Sequence, residues 1–175
     1  MPEPRSVSTA FEGVAFRVDV EDWPLTGPWE VAHHRGAAAV LALTPADEVV
    51  LVKQFRPPVR RVLTEIPAGL LDVEGEDAVT CAARELFEET GYRHTAIEFL
   101  GGYYASPGFT DEYVHVFWAR TQAQPQGEPE EGIEVITRPF AQMVAAARGG
   151  KVRDAKSALA LLLAATASPL PGVRP

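Results

Sequence analysis

The chain has 175 residues, 46% of them hydrophobic, and a formal net charge of −8 at pH 7. That length and apolar content suit one domain with a sizeable core, and the acidic balance argues against nonspecific nucleic-acid binding through a basic face. Cys81 is the single cysteine, which excludes an intrachain disulfide and a cysteine metal cluster.

Residues 1–10 read as a loose tail without the apolar run of a signal peptide. The longest apolar stretches, Ala37–Leu43 and Ala158–Ala165, are far short of a membrane span, so a cytoplasmic protein is expected. Phe11–Val20 alternates apolar and polar residues from Val14 onward, as a half-buried strand does. Asp22-Trp23-Pro24 and Thr26-Gly27-Pro28 break the chain, and Trp29–Ala32 is read as a short second strand. Together these predict a small N-terminal β lobe over residues 1–35. Trp23 and Trp29 within it suit packing or a subunit interface, with ligand stacking as the alternative.

Gly36–Leu43 is a continuous apolar run suited to a fully buried strand, and after a turn at Thr44–Asp47 the segment Glu48–Phe55 returns as a second strand. Arg56, Arg60 and Arg61 follow; such a group can bind phosphate through bidentate hydrogen bonds. An exposed loop balancing an acidic protein explains Arg60 and Arg61 nearly as well. Leu63–Gly69 ends a strand with Pro67-Ala68-Gly69, which turns toward the next helix.

A helix is predicted from about Asp77 to Thr90. Val79, Ala82, Ala83, Leu86 and Phe87 form its apolar stripe, while Glu85, Glu88 and Glu89 gather on another face. Like charges at that spacing each cost a helix about 0.2–0.5 kcal/mol, but they are also ready oxygen ligands for a hard cation. Arg84 is one turn from Glu88 and can hold that carboxylate, and Cys81 is expected to be a buried structural thiol. Beyond the helix, Ile97–Ala105 is a strand with a bulge at Gly101-Gly102, Ser106-Pro107-Gly108 a turn, and Tyr113–Ala119 a strand with His115 as a sheet residue. Residues 121–132 form a glutamate-rich mobile loop and Ile133–Ile136 a strand. Pro139–Arg148 is a helix closed by Gly149-Gly150, and Ala155–Ala167 is a helix capped by Asp154.

The segment Gly69–Tyr92 resembles the Nudix box, G-x5-E-x7-R-E-U-x-E-E-x-G-U with U apolar. Glu76, Arg84, Glu85, Leu86, Glu88, Glu89 and Gly91 fall into it, with Tyr92 last. Six residues, not five, separate Gly69 from Glu76; the extra one falls in the loop Leu71–Gly75, where insertion is cheap. The resemblance implies an α/β Nudix fold, a mixed β-sheet sandwiched between helices, with the N-terminal lobe at 1–35, the hydrolase domain at 36–168 and a tail at 169–175. Gln54-Phe55-Arg56, the run Glu65–Gly69, and Pro107 sixteen positions beyond Gly91 resemble the ADP-ribose pyrophosphatase branch of that family.

This resemblance implies metal-dependent hydrolysis of ADP-ribose to AMP and ribose 5-phosphate. The alternatives are another nucleoside diphosphate compound, such as a nucleotide sugar or an oxidised nucleotide, and, least favoured, a nucleotide-sensing module without catalysis. It implies Glu85, Glu88, Glu89 and the Ala68 carbonyl as ligands of Mg2+, with Mn2+ or Zn2+ left open. Arg84 belongs with the catalytic machinery, and Arg56, Glu65, Pro107, Gly108 and Trp23 with substrate. The catalytic base is a loop glutamate: Glu131 fits the register best, with Glu128 and Glu130 as alternatives. A homodimer is implied, with Trp23 or Phe16 near the adenine or at the interface, and neither nucleic acid nor membrane as partner.

Overall fold

In a computed structural model that describes residues 2–167, the N-terminal lobe is a three-stranded antiparallel sheet. It comprises β1 (Ser6–Glu12), β2 (Phe16–Trp23) and β3 (Gly27–His34) in that order. The loose tail expected over residues 1–10 is therefore corrected: β1 pairs with β2 from Ser6↔Asp22 to Glu12↔Arg17. Every residue of β1 is exposed, so it carries no buried/exposed alternation for a sequence reading to detect. The break at Thr26-Gly27-Pro28 is a turn into β3, which runs longer than expected. Gly27 adopts φ +76°, a conformation glycine takes without steric cost, and Pro28 opens an edge strand where its missing N–H does no harm.

The main sheet contains β4 (Ala37–Leu43), β5 (Glu48–Arg56), β6 (Arg61–Glu65), β7 (Ala68–Leu70), β8 (His94–Tyr104), β9 (Tyr113–Thr121) and β10 (Glu134–Pro139). Its order is β10-β5-β4-β9-β8, with β6 on β5 and β7 on β4. The β4–β9 pair is parallel and the others antiparallel, so the sheet is mixed as expected. Of the two irregularities in β8, one falls between His94 and Ala96 and the other between Phe99 and Gly101, beside the predicted Gly-Gly bulge.

All of β4 is buried because both its faces are covered. Ala39, Leu41 and Leu43 pack in one cluster with Val144 of α2 (Phe140–Arg148) and Leu161 of α3 (Ala155–Thr166). Ala38, Val40 and Ala42 pack in the other with Cys81, Ala82 and Leu86 of α1 (Ala78–Thr90). The sheet is thus sandwiched between α1 and the α2/α3 pair. Among the described residues no helix is long and apolar enough to cross a membrane. The tail expected at 169–175 lies outside the described residues.

One departure from a simple meander positions the site. β5 pairs with β4 only at Ala42↔Val50 and Leu43↔Val49, then peels away to pair with β6. The open half of β4 takes β7 instead, Ala37–Ala39 against Leu70–Ala68, which sets Ala68 and Gly69 beside α1. The N-terminal lobe is tied to the β8–β9 connection: the Phe109 carbonyl accepts from Ala32 N–H at 2.8 Å, and the Ala32 carbonyl accepts from Thr110 Oγ1 at 2.7 Å.

Candidate active site

α1 begins where Asp77 accepts a hydrogen bond from Thr80 N–H at 2.8 Å and ends at Gly91, whose φ of +72° is the left-handed turn a C-terminal cap requires. Its three glutamates, alike in sequence, meet different environments. Glu88 is exposed, Glu85 is half-buried, and Glu89 is only 5% exposed.

Arg84 gathers most of the box. Its Nε and Nη2 donate to the two oxygens of Glu76, both at 2.9 Å, while Nη1 donates to Glu85 Oε1 at 2.6 Å and Glu88 Oε2 at 2.9 Å. A planar guanidinium with fixed donors can hold three carboxylates in this way; an ammonium cannot. The hydrogen bonds from Arg84 hold Glu76 below the usual carboxylate range, and those to Glu76 above all raise Arg84 further above its already high value. The extra residue between Gly69 and Glu76 is absorbed in the exposed turn at Gly75 (φ +79°), and Glu76 keeps its place on Arg84. Cys81 is the buried thiol expected; burial pushes it up to about 12, and its Sγ lies 3.4 Å from the Leu70 carbonyl.

Glu89 has neutral hydrogen-bond partners: Ala68 N–H at 3.0 Å and Gln54 Nε2 at 3.4 Å. Burial pushes its carboxyl up to about 7, and the neighbouring charge of Glu85 adds to the rise. Glu85 is also raised, by burial first, against the pull of Arg84. In the β4–β7 ladder, Val40 N–H bonds the Pro67 carbonyl and Leu71 N–H the Gly36 carbonyl. Ala68, between them, is at a position whose peptide groups point away from β4. Its N–H reaches Glu89, and its carbonyl is directed to the same side.

These oxygens fit a hard divalent cation by their chemistry: a buried carboxylate without a cationic hydrogen-bond partner, a second one beside it, and a backbone carbonyl left free by the β4 ladder. Among the described residues no three acidic, histidine or cysteine side chains form a closed cage, and Arg84 bonds one oxygen each of Glu85 and Glu88.

Arg56 and Glu65 form a bidentate pair at 2.8 and 2.9 Å. Glu65 is 1% exposed and also accepts from Lys156. Burial alone would raise its pKa, but Arg56 and Lys156 overrule it and hold the carboxyl below 4.5. Glu65, expected to touch substrate, is here paired with Arg56 and braces its guanidinium. Lys156, missed in the sequence, is anchored by Asp154 at 2.9 Å.

Trp23, Pro107 and Gly108 come together in a cleft of about 430 Å³ walled also by Trp29, Tyr104 and Phe109. None of the box carboxylates nor Arg56 lines it. Trp23 Nε1 donates to Glu21 at 2.9 Å, Glu21 lies 3.4 Å from His33 Nε2, and His33 Nδ1 is 2.7 Å from Asp111. This chain joins the lobe to the β8–β9 connection. Sequence reading also missed Glu21, His33 and Asp111, residues 78 apart at the His33–Asp111 link.

The glutamate-rich loop, expected to be mobile, is docked on the end of α1: Gln126 N–H donates to the Gly91 carbonyl at 2.6 Å and Glu130 N–H to the Glu88 carbonyl at 2.9 Å. The side chains of Glu128, Glu130 and Glu131 are all exposed.

The sequence is also similar to known proteins. Residues 32–161 match the NUDIX domain model. An ADP-ribose pyrophosphatase of Bacillus subtilis is 38% identical over 86% of this chain and 85% of its own length. A methanol dehydrogenase activator of Bacillus methanolicus is 33% identical over the same shares. A GDP-mannose pyrophosphatase of Cronobacter sakazakii is 36% identical over 72% of this chain and 71% of its own length. The chain belongs to the NUDIX family.

Proposed function

We propose that this chain is a divalent-metal-dependent pyrophosphatase that hydrolyses ADP-ribose to AMP and ribose 5-phosphate. The observation that carries catalysis is the buried Glu89 carboxylate, with neutral hydrogen-bond partners and Glu85 and Ala68 beside it. The substrate rests on the similarity to the Bacillus subtilis ADP-ribose pyrophosphatase, which extends over most of both chains.

Glu85, Glu88, Glu89 and the Ala68 carbonyl would hold the cation, magnesium being the ion we favour. Bound there, it offsets the charge of the diphosphate and favours departure of the leaving phosphate. The residues of the chain do the remainder. Arg84 keeps Glu85 and Glu88 in register with Glu76. Arg56, aimed by Glu65, binds a phosphate oxygen, and Trp23, Pro107 and Gly108 hold the nucleoside side of the substrate. One of Glu128, Glu130 and Glu131 accepts a proton from the attacking water; the new P–O bond forms as the bridging P–O bond breaks, and the bridging oxygen leaves with the other phosphate. Because the Trp23 cleft is lined by none of the box residues, we infer a homodimer in which one protomer's lobe completes its partner's site.

The test is product release from ADP-ribose, nucleotide sugars and nucleoside triphosphates, with magnesium and with chelator. Magnesium-dependent cleavage of ADP-ribose well above the rest is expected. Preference for a nucleotide sugar would favour the second reading, for which the similarity to GDP-mannose pyrophosphatases speaks. Absence of cleavage across the panel would refute the enzyme, and monomeric behaviour at micromolar concentration would refute the shared site.

A further inference from the structure

We propose that the protein carries a second ligand site, on the α2/α3 side of the sheet, for a small molecule that bears a phosphate group. Successive residues of β5 face opposite ways. Gln54 reaches Glu89 on the α1 side, whereas Lys53 and Leu51 look to the other. There the register sets Thr64 of β6 opposite Lys53 and Ile136 of β10 opposite Leu51. The connection from α2 to α3 closes the space. Gly150 turns the chain at φ +65°; Val152 then packs against the core, while Lys151 and Arg153 on either side of it stay exposed and line the opening.

The result is a cleft of about 460 Å³, within the roughly 300–1,000 Å³ typical of small-molecule sites. Its floor is apolar, from Leu51, Ile136 and Met143, and its rim carries the exposed Val62 with the cations Lys53, Arg138, Lys151 and Arg153. Among the described residues only Lys53 of these four has a carboxylate partner, Glu134 at 2.8 Å. In a chain of net charge −8, Arg138, Lys151 and Arg153 make a local gathering of cations of the kind that draws anions. Two guanidinium forks and the Lys151 ammonium suit a phosphate, and the floor suits an apolar or planar body attached to it. A volume of this size favours a small molecule over an acidic peptide.

The experiment titrates the full 15N-labelled chain with AMP, as a phosphate monoester with a planar body, in the presence of EDTA. Saturable amide shifts are expected around residues 136–138 and 151–153. The Lys151→Glu/Arg153→Glu variant should raise Kd by about tenfold or more, as should Arg138→Glu alone, while Arg56→Ala leaves it unchanged. Shifts confined to Arg56 and Glu89 with none at residues 136–138 and 151–153, equal affinity in the charge-reversed variants, or no saturable binding would each overturn the proposal. So would tighter binding of a glutamate-rich peptide at the same residues, which would make the cleft a protein-docking groove.

Discussion

Gly69 leaves no room for a side chain between its backbone and the Glu85 carboxylate. A β-carbon built there would lie 1.9 Å from Glu85 Cδ and 2.0 Å from its Oε1. The glycine is required by space, because the carboxylate sits where a methyl group would be. Gly69→Ala therefore displaces Glu85, and what yields is the end of a flexible side chain. Stability should change by less than about 1 kcal/mol, while turnover falls about 100-fold through misplacement of a ligand. Thermal melts and steady-state rates on one preparation separate the two effects. Wild-type turnover would show that Glu85 need not stand there.

Arg84 bridges Glu76, Glu85 and Glu88 with nitrogens in one plane. Arg84→Lys keeps the charge but reaches one carboxylate well, and leaves Glu76, whose side chain is 6% exposed, without its paired donors. We expect a lowered melting temperature together with a loss of activity greater than tenfold. Glu85→Gln and Glu89→Gln should each lose orders of magnitude in rate with the fold intact, as circular dichroism would verify. The lysine variant distinguishes geometry from charge: full activity with lysine would mean that charge alone suffices.

How far the sequence could foresee this site depends on the range of the contacts. α1 was legible because its signals are local: Asp77 and Gly91 cap it, and the box lies between them. β4 was legible because both its faces are buried and all its residues apolar. β1 was not, since it is exposed on both sides and exists only through its ladder to β2. Nor could the sequence rank Glu85, Glu88 and Glu89, because Glu89 differs from Glu88 in what the fold brings over it, Ala68 from β7 and Gln54 from β5. Lys156 lies 91 residues from Glu65, and no spacing rule connects a residue on the last helix to a strand end. The cost of the buried charge on Glu65 is what demands a second cation, and that burial exists only in the fold.

Loop docking gives the three candidate bases a common frame. Gln126 and Glu130 bond the backbone at the end of α1, and a β-carbon on Gly91 would meet the Gly127 carbonyl oxygen at 2.0 Å. Glu128, Glu130 and Glu131 can therefore be replaced singly by glutamine without loosening the loop, since the anchors are backbone groups. One of the three variants should lose about 100-fold or more in kcat with KM nearly unchanged, and the other two should stay within about twofold. Three near-wild-type variants would remove the loop glutamates from the proton transfer.

Glu89 makes the metal-free protein sensitive to pH in a direction opposite to most carboxylates. Its carboxyl titrates at about 7 in the fold, against 4.5 as the ordinary value. Below pH 4.5 both folded and unfolded chains hold the proton, and Glu89 is stabilised in its neutral form. As pH rises from 4.5 to about 7 the unfolded chain releases the proton and the fold retains it, so stability falls across that window and levels off above it. The loss amounts to about 3 kcal/mol at most. Glu85, raised by burial, acts in the same direction. Glu65 acts oppositely and elsewhere: its pKa is lowered, so its contribution is present above 4.5 and lost as the solution is acidified through its folded value. Urea titrations in EDTA should show wild type weakening between pH 4.5 and 7, with a smaller slope for Glu89→Gln. Saturating magnesium should flatten the wild-type profile, because a carboxylate held by a cation takes up no proton. A wild-type profile already flat in EDTA would mean that the Glu89 charge is compensated within the chain, and that the site does not depend on a cation to complete it.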